Sequence, residues 1–359
     1  MTDAVSIREE KVLGIIATAR AKQGKFRDTH VTMSHGAGGK ATQSMIEGLF
    51  VPAFGSDTLS AMGDAGAVTE DMVMTTDSFV VKPIHFPGGS IGDLAVNGTV
   101  NDLAVSGAKP LALSLSLILE EGLSAEILRG EVEAIAAAAR DAGVQIVAGD
   151  TKVVERGHAD QIYAITTGVG RTDPRAQLSP AGLRPGDRIL VSGRVGDHGT
   201  AIMLARGEFD LDAEVESDTC CLWPAVDALL EESGPHLHCM RDATRGGVAS
   251  VLNELARASN VAMLVREAAV PVQPAVAGAA EILGIDPMYV ANEGKFVAFV
   301  DPEHSDAALA ALRCVPGCEE AAEIGEVRTE PPGMVLVETG FGGKRVMDQL
   351  VGDPLPRIC

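Results

Sequence analysis

Four segments between residues 63 and 154 decide the reading of this chain. They are Gly63-Asp64-Ala65-Gly66-Ala67-Val68, Thr75-Thr76-Asp77-Ser78-Phe79, Val100-Asn101-Asp102-Leu103-Ala104-Val105-Ser106-Gly107-Ala108 and Ala148-Gly149-Asp150-Thr151-Lys152-Val153-Val154. Each sets a carboxylate at a strand end or on a helix face, beside Gly, Thr or Asn. Asp64, Asp77, Asp102 and Asp150 are thus four acids on four separate elements. A fold that gathers them concentrates negative charge in one cleft. Mg²⁺ with a nucleoside triphosphate would neutralise it, because Mg²⁺ takes oxygen ligands and bridges carboxylates to phosphates. Spacing alone fits four solvated loop acids equally well, since Asp is common in turns.

The elements around these acids alternate. Val73–Thr76 and Phe79–Val81 are rich in strand formers, so Asp77 interrupts a strand or lies where one ends. Ser90 caps the next helix, with Asp93 three residues on completing a capping box. Asp93, Asn97 and Asn101 fall four apart on that helix and form one polar stripe. Its amides set it apart from an ordinary solvated face, which carries Lys and Glu. Leu113–Leu119 is an apolar strand, and Ser124 starts an alanine-rich helix that Gly143 ends. Val144–Ala148 and Ile162–Val169 are further strands. The order β-β-α-β-α-β-β predicts an α/β layer, a mixed sheet with helices on one face.

Upstream, Ser34-His35-Gly36-Ala37-Gly38-Gly39-Lys40 precedes a helical run to Phe50. A glycine-rich turn ahead of a helix can wrap phosphate with backbone N–H groups. The P-loop pattern itself is absent. Residues 1–26 read as an extension, with Val5, Val12, Ile15 and Ile16 on one face of a short amphipathic helix.

Downstream, residues 171–187 are rich in Pro, Gly and charge, and mark a linker. A second α/β region follows. Arg188–Ser192 is a strand, and Gly196-Asp197-His198-Gly199 opens a helix to Ala205. Asp218–Glu232 reads as helical. Arg241-Asp242-Ala243-Thr244-Arg245-Gly246-Gly247 precedes a helix over Val248–Ala258. Asn292-Glu293-Gly294-Lys295 precedes the strand Phe296–Val300. Glu303–Leu312 is a helix and Gly333–Val337 a late strand. The chain ends Asp353-Pro354-Leu355-Pro356-Arg357-Ile358-Cys359, where two prolines favour an extended tail bearing a thiol.

Composition narrows the function. The net charge of −21 argues against nucleic acid and against anionic membrane surfaces. No apolar run reaches the length of a membrane span. The first residues carry acids where a signal peptide has a basic region, so a cytoplasmic location is expected. Aromatics make up 3% of the chain, so the cores must be built from Val, Ile, Leu and Ala. The six cysteines all lie at or after residue 220, which speaks against a disulfide framework. Cys220, Cys221 and Cys239 fall in or near helices as packing residues. Cys314 and Cys318 lack the second pair that a metal site needs.

Taken together, these segments resemble the superfamily of aminoimidazole ribonucleotide synthetase, selenophosphate synthetase and thiamine-monophosphate kinase. The more specific features are Gly196–Gly199, Arg241–Val248, Asn292–Lys295 and the ending Pro356-Arg357-Ile358-Cys359. They look like the carbamoyl dehydratase family of nickel–iron hydrogenase maturation. The match covers nearly everything after residue 30.

The resemblance implies a two-domain PurM-like α/β (α+β) architecture, each domain a mixed sheet with helices on one face. It implies an extension at 1–26, an ATP-binding and dimerisation domain at 27–172, a linker at 173–187, a second α/β domain at 188–345 and a mobile tail at 346–359. ATP and Mg²⁺ are the implied cofactors, with Asp64, Asp102 and Asp150 as metal ligands. Gly36, Gly38, Gly39, Asp77, Asn101, Thr151 and Asp242 would surround the nucleotide. Thiamine-monophosphate kinases carry a paired acid where this chain has Asp64-Ala65, so one ligand is expected to be missing. Cys359, Glu293, Lys152 and His198 are the implied catalytic group. The implied reaction removes water from a carbamoyl group on the Cys359 sulfur, leaving a thiocyanate, a cyanide equivalent for iron. Implied partners are a HypF-type carbamoyltransferase, a HypC–HypD-type iron scaffold and a second copy of the chain. Two other readings stay open: a superfamily enzyme acting on a free metabolite, and a non-catalytic thiol carrier.

Overall fold

The computed structural model describes residues 26–207, 213–350, 352 and 357–359. The amphipathic stretch expected over residues 5–16 lies outside them. The first sheet takes its strands from the segments read above: β1 (Gly66–Ala67), β2 (Met72–Phe79), β5 (Ala108–Glu120), β6 (Gln145–Val154) and β7 (Ile162–Thr172). Their order is β1-β2-β7-β5-β6. Only β5 and β6 run parallel, and they are joined by the helix Ala125–Asp141 (α2). Parallel neighbours require such a crossover, which is why the alanine-rich run sits between them. Asp77 does not break a strand. It lies within β2, where its neighbours Thr76 and Ser78 pair with Thr167 and Ile165 of β7. The two-residue strands β3 (His85–Phe86) and β4 (Gly89–Ser90) form a small hairpin ahead of the first long helix.

That helix, Ile91–Val105 (α1), is the element shared by both halves. The capping box is present: Ser90 Oγ accepts from Gly92 N at 3.1 Å, and Ser90 N donates to Asp93 Oδ2 at 2.8 Å. Leu94, Ala95, Val96, Val100 and Leu103 are fully buried. The polar stripe is buried as well. Asn97 donates to Thr219 Oγ1 at 3.3 Å. Asn101 donates to the carbonyls of Cys220 and Glu293 and accepts from Leu222 N at 2.7 Å. The stripe therefore joins the two halves, which explains amides in place of charged residues.

The second sheet has seven strands: β8 (Arg188–Val191), β9 (Leu237–Asp242), β10 (Ala262–Arg266), β11 (Phe296–Val300), β12 (Ala322–Arg328), β13 (Met334–Glu338) and β14 (Lys344–Met347). Their order is β14-β13-β10-β12-β8-β11-β9, with β10 and β13 parallel and the rest antiparallel. Here the expectation of helices on one face needs correction. Ile189, Val191, Val297 and Phe299 pack with the helix Gly247–Ala258 (α5), whereas Leu190, Phe296, Ala298 and Val300 pack with Trp223–Ser233 (α4) and Ser305–Arg313 (α7). Both faces are covered, so a central strand such as β11 reads as a continuous apolar run. This half also contains the helices Asp197–Ala205 (α3) and Pro274–Leu283 (α6). Residues 218–222, expected as helix, form no regular structure and precede α4.

Candidate active site

Strand ends and loop starts from both sheets converge beside α1. Asp102, in the last turn of α1, accepts from Thr75 Oγ1 of β2 at 2.8 Å. Asp77 accepts from Thr99 Oγ1 at 3.1 Å. Asp64 is held from the second half by Arg241, whose Nε lies 2.9 Å from Oδ1. Asp242 is the last residue of β9. Asp64, Asp102 and Asp242 offer oxygens that all lie within 4.8 Å of one another, the one such group among the described residues.

Burial raises the carboxyls of Asp102 and Asp242 well above the ordinary range, and the neighbouring acids raise them further. Asp64 is raised too, because burial outweighs the opposing charge of Arg241. A group of like charges pressed together under desolvation calls for a cation, and three hard oxygen donors fit Mg²⁺.

The broad cleft over this cluster has a volume of about 740 Å³, lined among others by Gly36, Gly38, Asp64, Thr75, Asp242, Thr244 and Arg245. Gly38 has φ +72°, and a Cβ there would sit 2.9 Å from the carbonyl oxygen of Arg245. A Cβ on Gly39 would meet the carbonyl oxygen of Leu350 at 2.7 Å. The glycine-rich loop is thus wedged between the Arg245 loop and the start of the tail. Lys40 fastens it there, donating from Nζ to Asp348 at 2.7 Å.

A small chamber adjoins the cleft, lined by Asp77, Asp102, Asp242, Thr244, Arg245, Glu293 and Cys359. Glu293 is buried, and its Oε1 has no hydrogen-bond partner. Its backbone is held by Asp218 Oδ1 and Asn101 Nδ2. Burial drives its carboxyl well above the usual range, repulsion from Asp242 and Asp218 adds to this, and Arg245 opposes it. Arg245 is the one basic side chain in the chamber lining, and its Nη1 donates to Gly36 O at 2.7 Å. Sequence reasoning missed it, although the stretch Arg241–Gly247 had drawn notice. Two positive-φ glycines, Gly246 and Gly247, follow it and allow the loop to turn into α5.

Cys359 reaches the chamber because the tail docks beside the end of β2. Val80 N donates to Cys359 O at 3.1 Å and Lys82 N to Arg357 O at 3.2 Å. His198, expected among the catalytic group, grips the tail and does not line the chamber. Its Nε2 lies 2.6 Å from Ile358 O and its Nδ1 2.8 Å from Ser217 Oγ. Burial lowers its pKa. A carbonyl only accepts, so the ring is neutral with its proton on Nε2.

Asp150, Thr151 and Lys152 lie elsewhere. They sit on the exposed edge strand β6, where Lys152 Nζ pairs with Asp150 Oδ2 at 2.6 Å. The fold of one chain does not bring them to the acid cluster. Lys295 is a salt-bridge partner, 3.8 Å from Asp218. Cys239 lies in β9 and packs in the core cluster that includes α5, where burial pushes its thiol up to about 12. No helix among the described residues is long and apolar enough to cross a membrane.

The two halves match the two families described as AIR synthase related protein, N-terminal domain (residues 62–172) and C-terminal domain (residues 184–337). That defines a two-domain enzyme of the AIR-synthase-related class. The carbamoyl dehydratase HypE of Bradyrhizobium diazoefficiens is 49% identical over 93% of this chain and 97% of its own length. A HypE crystal structure in complex with ATP superimposes with TM-score 0.78 at 44% identity, covering 92% of this chain and all of that one. HypE in a HypE–HypF complex gives TM-score 0.82 at 42% identity, over 85% of this chain and 99% of that one. The chain belongs to the HypE family, the carbamoyl dehydratases of hydrogenase maturation.

Proposed function

We propose that this protein dehydrates a carbamoyl group carried on its own Cys359, using ATP. The observation that carries this is the chamber itself: the thiol residue lines the same small cavity as unpartnered Glu293, Asp102 and Asp242. The likeness to a HypE solved with ATP supports nucleotide in the adjoining cleft. Overall, the thiocarbamate and ATP become thiocyanate, ADP and phosphate. Carbamoyl oxygen is a poor leaving group, and transfer of the terminal phosphoryl group onto it lets it depart as phosphate. Both N–H protons must be removed as the C≡N bond forms. Glu293 receives one, since a buried carboxylate with a raised pKa is a competent base near neutral pH, and the departing phosphate carries away the other. Arg245 balances negative charge on the departing oxygen.

Asp64, Asp102 and Asp242 would hold Mg²⁺, which supplies charge neutralisation for phosphoryl transfer. Asp77 and the loop Gly36–Gly39 line the phosphate side. A HypF-type carbamoyltransferase would load Cys359, in keeping with the HypE–HypF complex, and a HypC–HypD-type scaffold would receive the cyanide. We further read the chain as a homodimer joined through the first sheet. Val147 and Val153 stand 64% and 67% exposed on its open edge. Asp150, Thr151 and Lys152 can act only across such a seam. The metabolite-enzyme and carrier readings lose ground, because neither places a base beside the thiol.

Intact-mass measurement tests the reaction. Full-length protein is carbamoylated by a HypF-type partner with carbamoyl phosphate, then given Mg–ATP. The expected result is loss of the mass of one water from a species that Cys359→Ala cannot form. Unchanged mass in the presence of bound nucleotide would overturn the reading.

A further inference from the structure

The contacts that seat the last three residues divide into two kinds. Main-chain contacts hold any sequence: Val80 N to Cys359 O, Lys82 N to Arg357 O, His198 Nε2 to Ile358 O, and Arg206 Nη2 to Arg357 O at 2.7 Å. As in other peptide-recognition modes, backbone bonds here give affinity and side-chain pockets give selectivity. The side-chain contacts are specific. Arg357 donates from Nη1 to Asp160 at 2.8 Å and from Nε to Val80 O at 3.0 Å, and its guanidinium lies 5.9 Å from the centre of the Tyr163 ring. Ile358 is 5% exposed, within the cluster that contains Phe79, Ile84, Phe86 and Ile202.

Two further features show that the groove is built independently of the tail. Every partner named here lies between Phe79 and Arg206, on β2 and its extension, the β6–β7 region and α3. His198 is pre-set by Ser217 and by the edge of the Phe86 ring, 5.6 Å away. Arg357 itself takes φ +56°, which a free non-glycine residue seldom adopts, so the groove imposes the bound shape.

We propose that this groove is a peptide-binding site selective for Arg-Ile ahead of the last residue, and that it accepts a peptide ending in Arg-Ile-Cys in trans. Asp160 and Tyr163 read the arginine, the apolar cluster reads the isoleucine, and His198 and Arg206 hold the backbone. The catalytic reading gives this site its purpose, which is to aim the sulfur into the chamber. Binding can nevertheless be measured with no chemistry at all.

A fluorescent peptide with the sequence of residues 352–359, its cysteine replaced by serine, is titrated into protein truncated after Pro356. Saturable binding is expected. Full-length protein should bind the same peptide at least about tenfold more weakly, because its tethered tail competes at high effective concentration. A peptide with Asp at the Ile358 position, a scrambled peptide, and His198→Ala in the truncated protein should each lose at least about fivefold. Asp160→Asn should weaken binding and flatten its salt dependence. If truncation lowers the melting temperature below the assay range, full-length Ile358→Asp replaces it, since its own tail cannot seat. No binding up to millimolar peptide, or equal binding of the scrambled sequence, overturns the proposal. Failure of the mass shift described above would overturn the dehydration and leave this result standing.

Discussion

Glu293 concentrates the chemistry at the scale of one residue. Glu293→Gln keeps the shape and removes the base. Dehydration measured by intact mass should fall by about 10²–10⁴-fold, with nucleotide affinity retained. The rate should also rise with pH as Glu293 ionises, over a range above the ordinary glutamate value, because burial has raised its pKa. Asp102 predicts the converse for stability. A carboxyl raised in the folded state stabilises the fold below the unfolded value near 3.8. That contribution is lost as pH rises through the folded value. At pH 8, well above that unfolded value, holding Asp102 buried among like charges without metal therefore costs stability. In EDTA, Asp102→Asn should melt about 2–4 °C higher than the parent protein. Mg–ATP should then raise its melting temperature less than the parent's. A lower melting point in EDTA would count against the cluster as a site of stored repulsion. Glu293 was legible in the sequence through Asn292–Lys295, whereas Arg245 was not. Its charge matters only because Gly38 packs against its backbone and Glu293 faces it.

At the scale of elements, α1 carries the most information. Its cap and stripe were readable from residues 90–101. The partners of the stripe were not, because Cys220, Leu222 and Glu293 lie more than a hundred residues away. Asn101→Ala would leave Leu222 N and two carbonyls without their partner. A loss of about 2–4 kcal/mol is expected in chemical denaturation. Dehydration should suffer as well, since Asn101 holds the Glu293 backbone. The second sheet was harder to read than the first. Periodicity gives one buried face for alternating strands, but β9 and β11 are buried on both sides and so give no orientation.

At the scale of the whole molecule, the open edge of the first sheet is the remaining question. Every residue of β6 but the last is exposed, and Ile146, Val147 and Val153 are large apolar side chains there. An uncovered edge strand of this kind invites a partner. The protein is expected to sediment as a dimer at micromolar concentration, and Val147→Asp to sediment as a monomer. If Asp150 and Lys152 act across that seam, the monomer also loses dehydration. Retained turnover in a Val147→Asp monomer would remove both residues from the site.

The sequence by itself determined much of the local structure: the order of strands and helices in the first half, the α1 cap, the glycine-rich turn and an acid on each of several elements. Those features depend on neighbours within a few residues, whose backbone preferences are written in their side chains. Tertiary structure alone decided which acids meet. Asp242 replaces Asp150 beside Asp64 and Asp102 because β9 ends against α1, whereas β6 lies at the far edge of its sheet. It also decided that His198 holds a backbone carbonyl and that Cys359 rests beside Glu293. His198 and Ile358, for instance, are 160 residues apart, and only the packing of two sheets on one shared helix brings such residues together.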